Sequence, residues 1–75
     1  MGLVINQMFA FIIVAEDGDE AIPAVLRHGV WMPLCGADLA RIKSMRPYAE
    51  RTAREMGSKV TLVHFRERHE IEVIE

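Results

Sequence analysis

The sequence predicts an α+β fold: a small antiparallel or mixed sheet of about four to five strands, in the order βββαββ, with one helical layer on one face. Two observations carry that expectation. Apolar runs of strand length, bounded by turn-forming residues, occupy residues 8–15, 24–34 and 59–65, whereas only residues 37–56 repeat apolar side chains at three- and four-residue steps. No repeat or linker divides the 75 residues, so residues 1–75 read as one domain.

Residues 8–15 (MFAFIIVA) form a continuous apolar run rich in aromatic and β-branched side chains, closed by the turn-forming EDGD that follows. In a strand, Phe9, Phe11 and Ile13 share one face and Met8, Ala10, Ile12 and Val14 the other. Both faces require cover, which predicts a central strand. Residues 1–7 precede it as an extension, disordered or set aside by an alternative start at Met8.

Residues 24–27 and 30–34 read as a hairpin turning at His28-Gly29, because glycine adopts positive φ readily and histidine is enriched there among other residues. That turn places Arg27 opposite Val30, Leu26 opposite Trp31, and Val25 opposite Met32. One side then carries Val25, Met32 and Leu34, and the other Leu26, Trp31 and Pro33. Pro33 has no amide donor, which assigns its strand to an edge.

The stripe Leu39, Ile42, Met45, Ala49, Ala53 and Met56 predicts an amphipathic helix over residues 37–56. Asp38 suits its N-terminus and Gly57 its end. Glu50–Arg54 and Arg51–Glu55 are spaced for surface pairs. Pro47 interrupts the pattern: either the helix kinks near residues 44–46, or a second helix starts with Pro47 in its first turn. Residues 59–65 then give a strand, residues 66–69 a charged turn, and residues 70–74 a closing strand.

Composition narrows the function classes. Half the residues are apolar, about a quarter are charged, and the net charge is −2, so no global basic excess attracts phosphate backbones. The first basic residue is Arg27 and the apolar run is short, which argues against a secretory leader or membrane anchor. A lone cysteine excludes an intrachain disulfide and favours a reducing, cytoplasmic setting.

Motifs for phosphate binding, dinucleotide binding and serine hydrolysis are absent, and neither CxxC nor HExxH occurs. No cofactor or metal is expected. His64 and His69 lack metal-ligand spacing, and the acidic EDGDE loop lacks the full ligand pattern of a calcium loop. Cys35, close to the expected helix start, is a candidate reactive thiol. Lys43, Arg46 and Arg54 are candidate nucleic-acid contacts, although acidic neighbours interrupt them and a nucleic-acid partner is not the leading expectation.

The expectation that dominates concerns area. The strands are apolar on both sides, yet the chain supplies one helical layer, and a large uncovered apolar face marks a contact surface. The leading expectation is therefore a non-catalytic module that self-associates, most simply as a homodimer, or binds another protein, with Trp31, Leu26 and Pro33 in the interface. A nucleic-acid-binding regulator and a thiol-dependent enzyme are the alternatives.

Overall fold

The computed structural model describes residues 2–75 and shows a small α+β fold. Strand β1 (Met8–Val14) lies at its centre. On one edge it pairs antiparallel with β6 (Thr61–Phe65), from Met8↔Phe65 through Phe9↔His64, Ala10↔Val63 and Phe11↔Leu62 to Ile12↔Thr61. On the other edge it meets two very short strands, β2 (Glu20–Ala21) and β5 (Cys35–Gly36). Phe9, Ala10, Phe11 and Ile12 are all buried, as an apolar run without alternation requires of a central strand.

Between β2 and β5 the chain makes an excursion. Strands β3 (Ala24–Arg27) and β4 (Val30–Pro33) form a separate two-stranded hairpin in the expected register, with Leu26 opposite Trp31 and Val25 opposite Met32. Its turn residues His28 and Gly29 both take positive φ, 52° and 77°. Two positive φ angles in succession match the right-handed twist of the flanking strands. Leu34 fastens the base of the excursion. Its amide donates to the Pro23 carbonyl at 3.0 Å, and its own carbonyl accepts from the Phe11 amide at 2.9 Å.

Helices α1 (Leu39–Ser44) and α2 (Arg46–Met56) follow, separated at Met45 with Pro47 in the first turn of α2. Proline is tolerated there because its missing amide would have no helical acceptor. The Asp38 side chain accepts from the Ala40 amide at 2.8 Å and caps α1. Gly57, at φ 61°, closes α2 in the left-handed region. The core packs Phe9 and Phe11 against Leu34, Ile42, Met45 and Ala49, with Val25, Met32, Tyr48 and Val60 partly buried around it. The ends of the expected stripe, Leu39 and Met56, are exposed.

The element order departs from βββαββ in two ways. The first half contains two additional two-residue strands, whose pairing is imposed by β1 rather than by local propensity. The last strand expected, over residues 70–74, is unpaired, and residues 66–69 form no turn. Arg66, Glu67, Arg68 and His69 include none of the Gly, Pro, Asn, Asp or Ser residues that favour tight reversal, so nothing local directs the chain back along β6. Residues 2–7 adopt no regular structure and are exposed. The surface pairing also differs: Arg46 bonds Glu50 at 3.0 Å, while Arg51 lies over the Tyr48 ring.

Candidate functional site

The hairpin divides its side chains as alternation demands. Val25 and Met32 are partly buried against the core, whereas Leu26 and Trp31 are exposed, Trp31 by 67%. Pro33 is also exposed on β4, opposite Ala24. Because Met32 takes the inward position, the indole of Trp31 is excluded from the core by its register. The three residues expected at an interface are therefore brought onto one face of the hairpin.

That face borders a cleft of about 460 Å³ between the hairpin and α2. Pro23, Leu26, Trp31 and Met56 supply its apolar wall, and Arg51, Thr52 and Glu55 its polar side. Met56 was placed by its spacing in the core stripe of the helix; its real position at the end of α2 leaves it half exposed beside this cleft. Arg51 and Arg27 both lie over Tyr48, at 5.6 and 6.0 Å from the ring centre. Of the two, only the Arg27 contact joins the hairpin to the helix, since Arg51 and Tyr48 both belong to α2.

A second groove, of about 320 Å³, runs between the helices and the β1–β6 pair. Phe11, Leu62 and Val60 form its sheet side and Ile42, Ala49 and Ala53 its helical side, with Lys43, Arg46 and Glu50 on the rim. Of the basic residues singled out by sequence, Lys43 and Arg46 come together here. Arg54 lines neither groove, and Arg46 is already bonded to Glu50.

Cys35 is half-buried in β5, opposite Ala10. Asp38 caps the start of α1, where its carboxylate accepts from the Ala40 amide. His64 sits across β1 from Cys35, since the two strands pair on opposite edges of β1.

His64 is exposed on β6. Its ring stacks on Phe9 at 4.3 Å and its Nε2 bonds Gln7 Oε1 at 2.8 Å. The acidic loop is an ordinary turn, with Gly18 at φ 89° and the Asp19 amide donating to Asp17 Oδ1 at 3.0 Å. Among the described residues, no group of three or more His, Cys, Asp or Glu side chains stands close enough to hold a metal ion. Among them too, no helix is long and apolar enough to cross a membrane.

Compared with protein-family models, with curated proteins and with solved structures, the chain matches none.

Proposed function

We propose that this protein is a non-catalytic interaction module that binds a second copy of itself, with the Leu26–Trp31–Pro33 face of the hairpin as the contact. The observation that carries this reading is the exposure of Trp31 and Leu26 beside a cleft with an apolar wall. An indole exposed next to a concave apolar surface forms a self-complementary pair. About a twofold axis, each Trp31 enters the cleft of the other copy, and one surface serves both partners. Tryptophan dominates such contacts because it buries a large area and loses little side-chain freedom.

Light scattering on the parent chain and on Trp31→Asp tests the proposal. The substitution lowers the mass of the assembly while leaving the circular dichroism spectrum intact. An unchanged mass across the accessible concentration range refutes the hairpin contact.

A further inference from the structure

We infer that the C-terminal segment, residues 70–74, is a strand held in reserve for a second copy, where it adds to the free edge of β6. The inference deepens the self-association reading but uses a different surface from the Trp31 hairpin.

Two unpaired features stand at the same end of the chain. Strand β6 pairs with β1 on one side and with no strand among the described residues on the other. Its sequence, TLVHF, contains no proline, glycine, lysine or carboxylate, the residues that normally discourage an edge from pairing. Beyond it, EIEVI has strand character, yet Ile71, Val73 and Ile74 are 98%, 73% and 85% exposed.

The segment between them is already extended. Arg68 bonds Glu70 at 3.1 Å, and His69 lies 3.6 Å from Glu67. Both pairs join residues two apart, the side-chain period of a strand. No turn or bend is present in residues 66–75. A chain that leaves β6 in this way carries residues 70–74 away from their own sheet edge and towards a neighbour's.

Twofold symmetry limits the register. When two copies of one continuous strand pair antiparallel about an axis normal to the sheet, the axis must pass through a residue. Otherwise opposite partners would point to different faces. With Arg68 on the axis, Arg66 meets the second copy's Glu70, Phe65 its Ile71, His64 its Glu72, Val63 its Val73, and Leu62 its Ile74. Every apolar residue meets an apolar one, and the Glu side chains meet Arg or His. Moving the axis to Glu67 sets Leu62 against Glu72 and Arg66 against Arg68, so sequence selects the first register. The one like-charged pair, Arg68 with its symmetry mate, is relieved by the Arg68–Glu70 bond already present in each chain.

This register also covers exposed apolar surface. Phe65 and Val63 share a sheet face with Met8 and Ala10, their partners on β1. Phe65 is 48% exposed, and Ile71 and Val73 of the second copy fall beside Phe65 and Val63 on that face. On the opposite face, Ile74 falls beside Leu62 at the mouth of the groove lined by Phe11 and Val60.

Disulfide trapping tests the exchange. In a Cys35→Ser, Trp31→Asp background, which removes both the native thiol and the hairpin contact, chains carrying Val63→Cys are mixed with differently tagged chains carrying Val73→Cys. Mild oxidation is expected to yield a covalent heterodimer on a non-reducing gel, whereas His64→Cys, which faces the other side, pairs poorly with Val73→Cys. Absence of the heterodimer, or equal trapping by His64→Cys, overturns the exchange. So does closure of a Val63→Cys, Val73→Cys double variant into an oxidised single chain. Because Trp31 is already substituted, none of these outcomes bears on the hairpin contact, and loss of the hairpin contact leaves the trapping result unchanged.

Discussion

Leu34 links the hairpin to the sheet, and truncating it to alanine is the most informative single perturbation of the fold. Its side chain is completely buried against Phe9, Phe11, Ile42, Met45 and Ala49. Leucine-to-alanine changes in cores cost about 2–5 kcal/mol, the larger values arising where the site cannot collapse. Leu34 is such a site, because its amide and its carbonyl are both tied, to Pro23 and to Phe11. We therefore expect a loss of about 3–4 kcal/mol. A domain of this length has a total stability of roughly 4–11 kcal/mol, so the variant loses about a quarter or more of it. Urea unfolding followed by far-UV circular dichroism, at one protein concentration for both chains, measures the change. A loss below about 1 kcal/mol would show that Leu34 does not bridge the two sheets. Trp31→Asp, two-thirds exposed, costs the single-chain fold less, about 1 kcal/mol or below, through its lost cross-strand pair with Leu26.

The other consequences are more local. Trp31 is the only tryptophan, so its emission reports on its surroundings directly: it moves to the blue as the protein is concentrated, and constant emission across that range contradicts burial of the indole on association. Gly57→Ala meets no atom within 4 Å but must hold φ at +61°, so it lowers stability by about 1 kcal/mol through backbone strain alone. A thermal melt at or above the parent's would contradict that assignment.

Much of the fold was legible because its signals are local. Both faces of β1 are apolar in sequence and its middle residues are buried in the structure. The His28-Gly29 turn fixes the hairpin register from two residues, and Pro47 marks where one helix becomes two. Strands β2 and β5 were not legible, since two residues carry no periodicity and pair only because β1 offers them an edge. Alternation set Trp31 and Met32 on opposite sides of the hairpin without saying which faces outward, and the cleft beside Trp31 was not legible at all. That cleft joins Leu26 to Met56, and such a distant juxtaposition leaves no mark in local spacing.

The charged segment Arg66–His69 shows how a local signal can be misassigned. Charge and polarity suggest a turn between two strands, yet the backbone chemistry of a turn is missing, and the segment runs without a bend. This makes the direction of the tail a property of a few side chains and therefore open to reversal. Folding residues 70–74 back onto the same chain's β6, with the pairs proposed for the exchange, requires a three-residue loop over residues 67–69 ending in a left-handed residue. That loop takes glycine at its last position, where this chain has His69. Arg68→Asp with His69→Gly supplies the chemistry required. In the trapping background, this change is expected to convert the Val63→Cys, Val73→Cys disulfide from an interchain link to an intrachain one, with the same residues paired and the covalent dimer lost. If the covalent dimer persists at the parent's yield, turn chemistry does not govern the path of the tail. If neither link forms, residues 70–74 have no affinity for the β6 edge from either direction.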